Sequence, residues 1–120
     1  RAAAGAAPRA AAGESAAAVR DALRDLHVPV RLARNPLARG ETTEERAASV
    51  RTLIEEAAAR AFGDTDDERL QARVLDRGYL RPAAGHELAA DELHLSRATY
   101  FRRLRRAAER LAEVVANDRR

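Results

Sequence analysis

From Tyr100 onward the apolar residues keep to one helical stripe. Tyr100, Leu104, Ala107, Ala108, Leu111, Val114 and Val115 recur every three or four residues, the spacing of one face of an α-helix. Ser96, just before this pattern, is a residue type that caps helices. A helix is therefore predicted from Ser96 to about Val115. The rest of the chain has little choice but to follow it. Of its 120 residues 30 are Ala, against 13 Leu, 7 Val, 1 Ile, 2 Phe and 2 Tyr. Alanine favours helix and buries little area, so such a core must come from close helix packing. The shortage of β-branched and aromatic residues excludes a β-sandwich. The expectation is an all-α fold of four to five helices in a single domain.

Caps and breakers divide the chain. Val19, Leu23 and Leu26 share a face of a first helix, Ser15 to Leu26, which Val28-Pro29 ends. Residues 30–40 read as a connector, with Leu32 and Leu37 tucked into the core. Thr42 and Glu45 have capping-box spacing and open a helix to about Phe62, with Val50, Leu53, Ile54, Ala57 and Ala61 on its stripe. Gly63 stops it. Thr65 and Glu68 repeat the spacing and open a helix to about Arg77, presenting Leu70 and Val74; Gly78 ends it, and Tyr79, Leu80 and Pro82 anchor the exit. Residues 86–93 form a short helix with Leu88, Ala89 and Leu93 available to the core. The tail, Asn117 to Arg120, is expected to fray. Residues 1–13 (RAAAGAAPRAAAG) read as a flexible Ala/Gly/Pro linker, and residues 14–120 as one helical domain. Within it, residues 14–63 form a scaffold and residues 64–116 a tri-helical unit ending in the long basic helix. The chain reads as a piece of a longer protein.

Charge is local. The formal net charge is +3, from 22 Arg and 19 acids, but residues 96–120 alone hold 8 Arg and 3 acids. A basic stretch on a near-neutral body is a candidate phosphate footprint; the plainer reading is a solvated helix face. Other chemistries lack their residues. There is no Cys, hence no disulfide framework and no thiolate metal site, which suits a cytoplasmic location. No apolar run is long enough for a bilayer, so no membrane partner is expected. His27, His86 and His94 lack metal spacing, and Asp64, Asp66, Asp67 and Glu68 lack the EF-hand pattern. The glycines form no phosphate loop, and Ser15, Ser49 and Ser96 have no His–Asp companions. Neither an enzyme nor a bound cofactor or metal is expected.

A short helix, a tight turn and a longer basic helix describe a helix-turn-helix. Ala89 and Ala90 permit a close helix crossing. Leu93 closes the first helix, Leu95 plugs the turn and Ser96 opens the second helix. The turn needs a residue that tolerates positive φ, and His94 occupies that place. With Tyr100 and Leu104 turned inward, the opposite stripe is Ala98, Arg102, Arg105, Arg106 and Glu109, with Arg97 and Thr99 at the leading end. The residues expected to face duplex DNA are Ser96, Arg97, Ala98, Thr99, Arg102, Arg103, Arg105 and Arg106. Arg can bond a guanine edge, Ala or Thr can meet a thymine methyl, and Arg further along reaches phosphates. Pairing of Glu109 with Arg105 would divert part of this charge. Phe101 is expected to pack against preceding helices, contact with a base methyl being the alternative.

Residues 86–111, HELAADELHLSRATYFRRLRRAAERL, resemble the helix-turn-helix of sigma-factor region 4 and of LuxR-type regulators. Ala90, Leu93, Leu95, Ser96, Thr99, Tyr100 and Leu104 fall on matching positions, and His94 replaces the usual turn glycine. The resemblance implies sequence-specific DNA binding in bacterial transcription regulation, with Ser96 to Thr99 and Arg102 toward DNA. A dimer, or other domains of the parent chain, would raise affinity. A second function stays open: a protein-interaction or autoinhibitory module whose Arg-rich face docks on an acidic partner.

Overall fold

Capping threonines and small residues set the helix limits in the computed structural model, which describes the backbone of residues 2–118 and the side chains of residues 13–118. The described residues are all-helical, with no strand: α1 (Ala2–Asp25), α2 (Pro29–Leu32), α3 (Thr43–Ala61), α4 (Asp66–Leu75), α5 (His86–Glu92) and the long α6 (Arg97–Asp118). A single π-turn, Asp76–Leu80, extends α4. Six helices thus replace the four to five expected.

Thr42 Oγ1 accepts the Glu45 amide at 3.1 Å, and the Glu45 carboxylate accepts the Thr42 amide at 3.3 Å, so α3 opens on a complete capping box. At α4 only half of that exchange forms: Thr65 Oγ1 accepts the Glu68 amide at 3.1 Å. The additional helix, α2, has Pro29 in its first turn. Proline ends the preceding helix and suits the opening of the next, because its missing N–H falls where no intrahelical partner exists. The connector expected over residues 30–40 therefore begins with a helical turn. Helix α1 starts at Ala2 rather than Ser15, in keeping with the helix propensity of the alanine run. The linker expected over residues 1–13 falls, apart from Gly13, on residues whose side chains lie outside the described ones. At the other end α6 continues to Asp118 instead of fraying at Asn117, while Arg119 and Arg120 lie outside the described residues.

Among the described residues two apolar clusters form, and α6 contributes to both. The larger gathers Val19, Leu23 and Leu26 of α1, Leu32 of α2, Val50 and Ile54 of α3, and Leu111 and Val115 of α6. The smaller gathers Val74 of α4, Ala89 and Ala90 of α5, Leu93, and Tyr100 and Leu104 of α6. All seven residues of the predicted α6 stripe are buried. Leu32 and Leu37 are buried as expected, and Asn35 between them is buried too. Asn35 Nδ2 donates to the Ala18 carbonyl at 2.8 Å and its Oδ1 accepts the Leu37 amide at 2.9 Å, which fastens the connector to α1.

Leu88 departs from expectation. It is 50% exposed, whereas Ala89, Ala90 and Leu93 are buried. A helix of seven residues has room for one inward face, and the alanines occupy it because only small side chains allow close approach to α6.

Candidate nucleic-acid interface

The junction between α5 and α6 is fixed by backbone geometry. His94 takes φ 57°, the only positive φ at a non-glycine position among the described residues. With the chain turned left-handed there, the Leu95 amide reaches the Ala90 carbonyl at 2.9 Å and the His94 amide reaches that of Asp91 at 3.1 Å. This is the paired-bond ending of a Schellman motif, usually built on glycine. The reversal leaves Leu95 half-buried beside the smaller cluster. Ser96 Oγ then accepts the Thr99 amide at 3.2 Å and donates to Thr99 Oγ1 at 3.0 Å, capping α6.

The rotation of α6 about its axis is set by Tyr100, which is 0% exposed. Its hydroxyl shares a 2.8 Å hydrogen bond with His86 Nδ1, at the start of α5. Burial pushes this phenol above its ordinary value, with a smaller contribution from Tyr79. Against the same surface lies the π-turn, where Gly78 brings backbone close to Leu104 and Tyr100. Two ties hold that turn from outside. His27 Nε2 donates to the Tyr79 carbonyl at 2.8 Å, and Arg77 grips Glu92 through two bonds of 2.9 and 3.1 Å. The Arg77 guanidinium holds the Glu92 carboxyl below its usual range.

With Tyr100 and Leu104 facing inward, the opposite side of α6 faces solvent. Ser96, Arg97, Ala98, Arg102, Arg105, Arg106 and Glu109 are exposed, and Thr99 is half-buried. Arg102, Arg105 and Arg106 form no ion pair among the described residues, and the pairing of Arg105 with Glu109 is not formed. Arg97 lies over the Phe101 ring at 5.4 Å, a cation–π contact that restrains it near the start of α6. Phe101 itself packs edge-on against Tyr100 and His86, at centroid distances of 5.2 Å in both cases, as its packing role predicts.

Arg103 is placed apart from the other candidates. It leans toward α4, where Nη1 donates to Asp67 at 2.8 Å and to Gln71 Oε1 at 3.3 Å, and Gln71 Nε2 returns a bond to the Arg103 carbonyl at 3.3 Å. Its charge is spent inside the molecule. Helix periodicity places Arg103 one position off the outward stripe, but the carboxylate that captures it lies 36 residues earlier in the chain. What remains for an anionic partner is Arg97, Arg102, Arg105 and Arg106. These guanidiniums project from one helix and carry donors for phosphate oxygens or a guanine edge. No group of three metal-ligating side chains converges among the described residues, and no described helix is long and apolar enough to cross a membrane. No protein-family model matches the chain, and neither the curated proteins nor the solved structures compared with it gave a match.

Proposed function

We propose that the chain is a helix-turn-helix module that binds duplex DNA sequence-specifically in transcription regulation. In this reading α4, α5 and α6 are the tri-helical unit, and the leading end of α6 enters the major groove. The observation that carries it is the unpaired, outward row of Arg102, Arg105 and Arg106 on a helix whose other face is locked by Tyr100 and Leu104. The left-handed turn at His94 and the Ser96 cap supply the joint such a motif requires. Arg97, Ala98 and Thr99 are assigned to base edges and the later arginines to phosphates. Ser96 serves as the cap, and Arg103 as an internal strut.

The test is retardation of duplex DNA across a salt series. Three guanidiniums on phosphates, those of Arg102, Arg105 and Arg106, give a log–log salt slope of about −3, since each neutralised phosphate contributes ~0.9. Changing Arg102 and Arg105 together to Ala lowers affinity and reduces the slope magnitude by about 2. Binding that is unchanged in that variant refutes the assigned face. If no retardation occurs even at low salt, the module instead docks on a protein partner.

A further inference from the structure

A groove of about 780 Å³ runs between α1 and α6. Its floor is made by Leu23, Leu104, Ala108 and Ala112, where small side chains leave the helices short of filling the surface. One end is walled by aromatic rings: Tyr79 and His86 at a centroid distance of 6.3 Å, and His86 and Phe101 at 5.2 Å. The volume lies within the range of pockets that take small ligands, about 300–1,000 Å³, and an apolar lining with few polar groups is their usual character.

The charges around the groove narrow the choice of occupant. Arg105 lines it and forms no ion pair among the described residues. One turn further along α6 stands Glu109, also unpaired, which repels a second negative group and leaves that stretch to a neutral body. On the opposite lip Arg20, which forms no ion pair among the described residues, adds positive potential, while Arg24 and Glu113, which also line the groove, are neutralised by Asp21 and Arg110. A single anionic end on an otherwise apolar, flat molecule satisfies all of these features. We infer that the α1–α6 groove binds a small aromatic monocarboxylic acid, its ring system on the floor beside Phe101 and Tyr79 and its carboxylate on Arg105. Arg105 also belongs to the proposed DNA face, so a bound acid competes with duplex there. That consequence rests on the DNA reading, whereas acid binding itself does not.

The experiment is calorimetric titration of the whole chain, without DNA, using 2-naphthoate as the probe and 2-naphthylmethanol as its neutral counterpart. The expected result is saturable one-to-one binding of naphthoate with Kd of about 0.1–1 mM, as a ligand of this size allows. The alcohol binds about tenfold or more weaker, reflecting one lost charge-assisted hydrogen bond. Arg105→Gln reduces naphthoate binding to the level of the alcohol, Ala108→Leu obstructs the floor and removes binding of both, and Arg31→Gln on α2 changes neither. Arg105 is exposed, so its substitution keeps the test valid if Ala108→Leu fails to fold. Absence of saturable binding, equal binding of acid and alcohol, or full binding by Arg105→Gln would each overturn the inference. So would sedimentation showing that the groove is closed by a second copy of the chain. Loss of DNA retardation with intact naphthoate binding refutes the DNA reading alone.

Discussion

Gly78→Ala sets two effects of one added methyl group against each other. Its φ lies outside the left-handed range, so alanine is conformationally acceptable and gains about 0.5–1 kcal/mol from a less flexible unfolded chain. The space is the difficulty. A Cβ at Gly78 would stand 2.7 Å from Leu104 Cδ1 and 2.9 Å from Tyr100 Oη, both closer than carbon tolerates. Neither neighbour is a free side-chain tip: Leu104 is 4% exposed, Tyr100 is 0% exposed, and the Tyr100 hydroxyl is held by His86 at 2.8 Å. Overpacking costs about 1–3 kcal/mol, and two contacts under 3 Å with buried neighbours place this site at the upper end, ~2–3 kcal/mol, so the clash exceeds the backbone gain and leaves a net loss of about 1–2 kcal/mol. For 120 residues the melting temperature moves by about 4 °C per kcal/mol, giving a fall of about 4–8 °C. Urea melts followed by helical circular dichroism measure it, with an unchanged m-value. Gly13→Ala is the control, because among the described residues no atom beyond its own stretch of helix lies within 4 Å of its added Cβ, and its stability holds or rises. A Gly78→Ala protein as stable as the parent would refute the claim that the π-turn is pressed against α6.

Three further outcomes follow from the same geometry. His94→Gly relieves a left-handed residue at a helix C-terminus and raises stability by about 1 kcal/mol, read as a melting temperature a few degrees higher; a decrease would show that the imidazole makes a stabilising contact. Asn35→Ala leaves the buried Leu37 amide without its acceptor and removes the bond to Ala18, a loss of about 2–4 kcal/mol in urea melts; a change below half a kcal/mol, within ordinary surface scatter, contradicts that role. Stability also falls with acid. Backbone amides at Glu41 and Thr42 lower the carboxyl value of Glu45, and Arg77 lowers that of Glu92, in each case from an ordinary 4.5. The unfolded chain therefore binds the proton first, and the stabilisation present above pH 4.5 is lost as pH falls through the lower folded values. Melts at neutral pH and below 4.5 check this, and a Thr42→Ala variant, lacking half the capping box, shows a lower plateau.

Local chemistry made much of the fold legible, and the missing parts are those decided at a distance. Thr42 with Glu45, Ser96 with Thr99, and the α6 stripe are rules of a few neighbouring residues, and the structure follows them. The outward position of Arg102, Arg105 and Arg106 follows from the same periodicity. The π-turn was not legible, because Gly78 reads as a helix terminator until the close approach of Leu104 gives it another role. Pro29 after Val28 signals a helix ending in the sequence, although proline equally suits an opening. Arg103 looks like its neighbours in the sequence; only the packing of α4 on α6 brings Asp67 and Gln71 to it. The bond between His86 and Tyr100 likewise depends on the left-handed turn at His94, which lays α5 against α6.

One rod, α6, is rooted in two interiors at once. Anyone wishing to transplant only the final third of this protein into a chimera would cut through that shared keel. Leu111, Val114 and Val115 would then stand bare where α1 and α3 once covered them, and the graft would clump. The smallest transferable piece must carry α1 through α6, because the interior that α1 and α3 share with the far half of α6 leaves no clean place to cut.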